Sequence, residues 1–121
     1  MTVDILAISP HPDDAELYCG GLLCKMADRG HTTCIVDLTA GEMGTRGTVE
    51  ERMQEAMDAG IALGISDRRN LRLPDAHLEQ SEEHRLTIIQ AIREYHPQTI
   101  LIPTREARHP DHRLTGILAQ D

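Results

Sequence analysis

The chain has 121 residues, of which 40% are hydrophobic and 26% charged, and it carries a net charge of −8 at pH 7. This length corresponds to one domain, and the composition argues against disorder. The negative charge argues against a nucleic-acid or membrane partner, because both surfaces require basic patches. With neither a membrane-length apolar run nor a signal pattern, we expect a cytoplasmic protein.

Short apolar or β-rich runs alternate with amphipathic helical patterns along the chain. Strands are predicted over 4–8, 33–38, 70–73 and 99–102, and helices over 15–29, 48–63 and 81–95, with another opening at 109–112. Thr48, in a capping-box pattern with Glu51, and Ser81 are the predicted helix caps. The order predicts an α/β fold, a Rossmann-like, open and mostly parallel sheet with helices on both faces. Such sheets usually have more than four strands, so residues 1–121 are expected to be one domain of a truncated or partial chain.

Polar loops follow all four predicted strands. They contain the sequences PHPDD, TAGEMGTRG, LPDAH and PTREARHPDH. In parallel α/β sheets, ligands bind outside the carboxyl ends of the strands, so these loops are expected to share one edge of the sheet. The first loop lacks the GxGxxG pattern, which argues against a small nucleotide-binding domain.

The motif HPDD at 11–14 recurs as HPDH at 109–112, each time between a strand and a helix. A proline at the first helical position would place residues i and i+3 on one face. Turns and helix caps also use proline and aspartate, which gives a purely structural interpretation. The recurrence favours a metal site with nitrogen and oxygen ligands, which suits zinc and leaves Mn²⁺ and Fe²⁺ open. The pattern does not separate ligands from acid–base residues.

The four loop motifs, in this order, resemble those of the LmbE-like, or PIG-L, zinc deacetylases. Within that family, TAGEMGTRGTVEER and RHPDH look most like the bacillithiol-pathway enzymes that deacetylate N-acetylglucosaminyl malate. The resemblance spans the whole chain and identifies it as the N-terminal portion of such a domain. It implies a zinc-dependent hydrolase that removes the N-acetyl group from an N-acetylglucosamine-type conjugate and releases acetate.

The resemblance also implies a role for each residue of the two motifs. Asp13 would be the general base that takes a proton from the attacking water. His109 would protonate the leaving amine or stabilise the oxyanion, and Asp111 would orient a neighbouring histidine. The implied zinc ligands are His11, Asp14 and His112.

Four residues outside the motifs are predicted to contact substrate. Arg52 matches a family arginine that contacts the substrate near its acetyl end. Arg46 and Glu42, in the loop after the second strand, are candidates for a substrate clamp and a contact to a ligand or sugar hydroxyl. Asp75, after the third strand, is the fourth candidate. Ordinary exposed side chains or turn residues are the alternative for each position.

The expected partner is a small N-acetylated amino sugar. Family members are about twice as long as this chain, so substrate discrimination and the expected homo-oligomer are attributed to a full-length protein. The competing hypotheses are a non-catalytic, metal-dependent module that binds a sugar or amide, and an inactive fragment of a deacetylase. Asp13 favours the enzyme, because a binding module has no need of a carboxylate beside the metal water.

Overall fold

The computed structural model describes residues 2–40, 48–74, 78, 81–103 and 110–120. Within these ranges, four strands alternate with four helices. In chain order they are β1 (Val3–Ser9), α1 (Asp14–Asp28), β2 (Thr33–Asp37), α2 (Val49–Ala62), β3 (Asp67–Asn70), α3 (Glu82–Tyr95), β4 (Pro97–Leu101) and α4 (Pro110–Gln120). No helix in the described ranges is both long and apolar enough to cross a membrane.

The four strands form one parallel sheet in the order β3-β2-β1-β4. Leu6 in β1 is paired with Cys34 in β2 on one side and with Ile100 in β4 on the other. The chain therefore moves outward from β1 through β2 and β3, and then returns to the opposite side of β1. This reversal creates a topological switch point at the carboxyl ends of β1 and β4, where open α/β sheets bind ligands.

Both faces of the sheet are covered by helices, as predicted. On one face, Leu6 and Val36 belong to a buried cluster with Ile88 and Tyr95 of α3 and Leu118 of α4. On the other face, a second cluster joins α1 to the sheet; its buried members are Ile5, Ala7, Ala15, Leu23 and Ile35. The predicted α/β class is therefore confirmed.

The helix caps predicted from sequence are present. Thr48 Oγ1 accepts a hydrogen bond from the backbone N–H of Glu51 at 3.0 Å, and Ser81 Oγ accepts one from His84 at 3.1 Å. Each cap satisfies one of the amide groups that the first helical turn leaves without an internal partner.

The predicted third strand, 70–73, was wrong, because β3 covers the polar sequence Asp67–Asn70. The apolar residues Leu71 and Leu73 suggested the later position. The observed strand contains Arg68, whose side chain is buried in an ion pair with Asp37 of the neighbouring strand. This ion pair between distant residues stabilises the segment in the sheet. The pattern of hydrophobic residues in the sequence contains no information about such a contact. The fourth strand also begins earlier than predicted, with Pro97 at its first position, where proline is tolerated.

The buried face of α1 differs from what helical spacing alone indicates. Leu17 is 78% exposed and Leu22 is 47% exposed, although both recur with Leu23 and Met26 at helical intervals. The residues that pack against the sheet are spaced by four, four and three positions and include two smaller side chains; they are Ala15, Cys19, Leu23 and Met26. Helical spacing therefore identified the helix, but of its three leucines only Leu23 lies on the buried face.

Candidate metal centre

The described residues of the two HPD motifs lie at the switch point. The first follows β1, and the second lies where α4 begins, at Pro110. Pro110 occupies the first helical position, as predicted, whereas Pro12 lies two residues before α1. The first loop is held instead by the carboxylate of Asp14, whose Oδ2 accepts a hydrogen bond from the backbone N–H of His11 at 2.9 Å.

His11, Asp14 and His112 converge on one point. Each offers one ligand atom, and these atoms all lie within 4.8 Å of one another. Asp14 Oδ2 is 3.1 Å from His11 Nδ1 and 3.5 Å from His112 Nε2. Two imidazole nitrogens and one carboxylate oxygen are the donor set of a catalytic zinc site that keeps a position open for water. The arrangement fits a divalent metal ion, and the donor types also suit Mn²⁺ or Fe²⁺.

Each histidine of this group presents its second ring nitrogen to another side chain. His11 Nε2 lies 2.9 Å from Oδ2 of the fully buried Asp111. His112 Nδ1 lies 3.1 Å from the Tyr18 hydroxyl. Such outer partners fix the orientation and tautomer of a metal-binding imidazole. The first contact places Asp111 beside a histidine, and its orienting role stays a prediction; the sequence analysis missed Tyr18.

Asp13 has a backbone conformation that few residues adopt. Its φ of 102° lies in the left-handed region, which is costly for side chains other than glycine and is often found at functional sites. Asp13 occupies the N-cap position of α1, yet its side chain makes no capping hydrogen bond. Its carboxylate is therefore not used to close the helix end.

The pKa of Asp13 is raised above its ordinary value. Partial burial is the largest cause, followed by the neighbouring carboxylates of Asp14 and Glu16; Arg52 and His11 oppose the rise. Asp13 and Arg52 line a common cleft of about 600 Å³ between α1 and α2. The structure thus places the predicted base and the predicted substrate arginine in one cavity.

Four of the predicted site residues belong to loop segments other than the described ranges. Glu42, Arg46, Asp75 and His109 lie outside the described residues. Their assignments therefore remain predictions.

A buried network of charged residues stabilises the loop that carries the first motif. Ser9 Oγ donates to Asp37 Oδ1 at 2.6 Å, and Arg68 Nε donates to Asp37 Oδ2 at 2.8 Å. Arg68 Nη2 also donates to Glu16 at 3.0 Å, one helical turn after Asp13. Burial raises the pKa of Asp37, and the hydrogen bonds from Arg68 and Ser9 oppose the rise. The network ties β1, β2, β3 and α1 together beneath the loop that carries His11.

A second, largely apolar groove of about 560 Å³ opens beside His112. It runs between α1 and β4, and its walls include Tyr18, Leu22, Ile100 and Pro103. The His-Asp-His group therefore lies between a polar cleft on the α2 side and an apolar groove on the β4 side.

The chain is thus a parallel α/β domain with a His-Asp-His group, of the kind that suits a metal ion, at its switch point. The chain belongs to the PIG-L family, because the model of that family, described as GlcNAc-PI de-N-acetylase, matches residues 6–121. The members of the family are deacetylases, which are amide hydrolases, and the family's deacetylases are metal-dependent.

Individual relatives support this assignment. The diacetylchitobiose deacetylase of Thermococcus kodakarensis is 34% identical over 94% of this chain and 46% of its own length. A probable N-acetyl-α-D-glucosaminyl L-malate deacetylase of Bacillus cereus is 32% identical over 93% of this chain and 57% of its own. The crystal structure of a conserved Thermus thermophilus protein is 45% identical, covers 98% of this chain and 54% of its own, and superimposes with a TM-score of 0.94. The chain thus spans about half the length of the relatives it matches.

Proposed function

We propose that this chain carries the metal-binding and acid–base residues of a zinc-dependent N-deacetylase that acts on N-acetylglucosamine-type conjugates. The observation that carries the proposal is the convergence of His11, Asp14 and His112 beside Asp13, whose side chain makes no capping bond. Because the chain spans about half the length of its relatives, activity and substrate are proposed for the whole protein.

His11, Asp14 and His112 would hold the metal ion, and zinc is the ion we propose. When bound, the metal ion supplies Lewis acidity, which polarises an amide carbonyl and acidifies water. The chain's own contribution begins with Asp14, which faces both imidazoles. Asp111 and Tyr18 then hold the outer nitrogens of the two rings, so that the inner nitrogens face the shared point.

Asp13 is proposed as the general base. Its carboxylate accepts a proton from water, and the water oxygen forms a bond to the carbonyl carbon of the acetamide group. The C–N bond then breaks as the leaving nitrogen takes up a proton, from His109 or, where His109 only stabilises the oxyanion, from Asp13, and the amine and acetate are released. The raised pKa of Asp13 supports this role, because a base is most effective when its pKa approaches the working pH. His109 is proposed to give the proton to the leaving amine or to stabilise the oxyanion.

The proposed substrate is a small N-acetylated amino-sugar conjugate. The two curated relatives described above act, by their names, on diacetylchitobiose and on N-acetylglucosaminyl malate. Their similar identities favour neither substrate. We propose N-acetylglucosaminyl malate as the first compound to test, as the loop motifs indicated. Arg52, Arg46, Glu42 and Asp75 are proposed to contact it, and a cytoplasmic homo-oligomer is proposed for the whole protein.

Acetate release from a panel of N-acetylated amino sugars, with and without a chelator, tests this function. The Asp13→Ala variant should keep one bound Zn²⁺ per chain while turnover falls by about 10²–10⁴-fold, the usual contribution of a general base. Loss of metal from this variant would show that Asp13 is a ligand and not the base. Chelator-insensitive release would contradict the metal-dependent mechanism. Metal binding without turnover of any compound by the whole protein would favour a binding module.

A further inference from the structure

We propose that Tyr18 is a positioning residue for the metal centre, because its hydroxyl fixes the ring tautomer and orientation of His112. The two groups are 94 positions apart in sequence, yet Tyr18 Oη and His112 Nδ1 are 3.1 Å apart. The proposal deepens the proposed function and rests on the metal site described above.

Tyr18 reaches His112 because of its position on α1. It lies four residues after Asp14, so both side chains extend from the same face of the helix. Helical side chains lean towards the N-terminus, which directs the Tyr18 ring back over the turn that carries Asp14. The next residue, Cys19, leaves the helical conformation at φ −141° and ψ 15°, and this kink lies just beyond the tyrosine.

The contact is directional. The rings of Tyr18 and His112 meet edge to face, with their centroids 5.6 Å apart and their planes at 85°. The other ring nitrogen of His112, Nε2, faces Asp14 Oδ2 at 3.5 Å. The two nitrogens of one imidazole therefore have different partners, one on the ligand side and one on the Tyr18 side.

These partners determine where the ring proton lies. An imidazole that binds a metal ion through Nε2 keeps its proton on Nδ1. The Nδ1–H group of His112 then donates to Tyr18 Oη, which accepts. Without this acceptor the ring is less constrained in both tautomer and angle.

Tyr18 differs from the partner of the other histidine. His11 is held by the carboxylate of Asp111, which is fully buried, whereas Tyr18 is 68% exposed and neutral. A neutral acceptor makes a weaker hydrogen bond than a charged one. Outer partners typically change metal affinity by about 10–100-fold, so we expect Tyr18 to account for about 10-fold. Its exposure also means that removal of the hydroxyl does not disturb the core.

Tyr18→Phe tests the proposal, with Leu17→Ala as the matched control. Leu17 is the neighbouring residue on α1 and is more exposed than Tyr18. Zn²⁺ affinity is measured by competition with a chromophoric chelator. We expect Tyr18→Phe to weaken Zn²⁺ binding by about 10-fold and Leu17→Ala to change it by less than about 2-fold. Thermal unfolding of the metal-free proteins shows whether either variant alters folding.

The second readout is the protonation of the ring nitrogens, from long-range ¹H–¹⁵N spectra of the histidine side chains. In the Zn²⁺ form we expect His112 to be protonated on Nδ1, and Tyr18→Phe to shift this nitrogen while His11 keeps its signals. Equal affinity and unchanged His112 signals in Tyr18→Phe would overturn the role of Tyr18 alone. Failure of the unsubstituted protein to bind Zn²⁺ would overturn the proposed metal centre and, with it, the role of Tyr18.

Discussion

The carboxylate of Asp111 lies 2.9 Å from Nε2 of His11, although the two residues are 100 positions apart in the chain. Asp111 belongs to α4 and His11 to the loop after β1, so the contact joins the two HPD motifs directly. The pairing of β1 with β4 makes it possible, because it brings the carboxyl ends of these strands side by side. Each motif thus supplies both a group for the metal site and a partner for the other motif.

Asp111→Asn should weaken Zn²⁺ binding by about 10–100-fold, because the neutral amide is a poorer acceptor for the His11 Nε2–H group. Chelator competition measures the affinity. Asp13→Asn is the matched control, since it makes the same chemical change in a residue that is proposed not to bind the metal. Equal losses of affinity in both variants would indicate a general effect of charge rather than the specific contact to His11.

Arg68→Met should destabilise the chain by about 3–5 kcal/mol, because it leaves the buried carboxylate of Asp37 without its cation. Arg69→Met is the control. Its guanidinium pairs with Glu94 at the surface, and exposed pairs contribute no more than about 1 kcal/mol. Urea unfolding of both variants measures the difference.

The double variant Arg68→Met/Asp37→Asn should recover part of the lost stability, since it also removes the buried charge. If Arg68→Met and Arg69→Met lowered the free energy of unfolding by similar amounts, the buried network would contribute no more to stability than a surface ion pair.

The sequence predicted the convergence of the two motifs better than the details of the elements that carry them. This convergence could be expected because residues at the ends of parallel strands meet at one edge, whatever the exact strand boundaries, whereas the assignment of His11, Asp14 and His112 as ligands came from the resemblance to the family. Tyr18 was missed because its contact with His112 depends on how α1 and α4 are placed around the sheet, which helical periodicity does not report. Its spacing of four from Asp14 was the available signal.

The error at β3 has a similar cause. The polar sequence Asp67–Asn70 has little strand propensity. It forms a strand because Arg68 donates hydrogen bonds to Asp37 and Glu16 in the folded chain. The apolar residues Leu71 and Leu73 lie just beyond the strand, where their amides donate to the carbonyls of Asp37 and Leu38. Tertiary contacts override local propensity at such a position.

Stability should fall in alkaline solution because the thiol of Cys34 is buried in the central part of the sheet. Burial is the main cause that raises the pKa of Cys34 from 9.0 to about 11, and the adjacent carboxylate of Asp67 adds to it. The unfolded chain therefore releases the thiol proton at a lower pH than the folded chain. The stabilising contribution is complete below about pH 9 and is lost as the pH rises towards about 11. The expected loss is about 2 kcal/mol.

The measurement is the free energy of urea unfolding at a series of pH values, for the unsubstituted chain and for Cys34→Val. The valine variant lacks the titrating thiol, so its stability should fall less steeply in this range, and the difference between the two curves isolates Cys34. Tyr95 contributes in the same direction, because burial and its hydrogen bond to Asp67 raise the pKa of its hydroxyl. Cys34→Val/Tyr95→Phe should therefore give the flattest curve. Parallel curves for the unsubstituted chain and Cys34→Val would show that the thiol titrates alike in the folded and unfolded states.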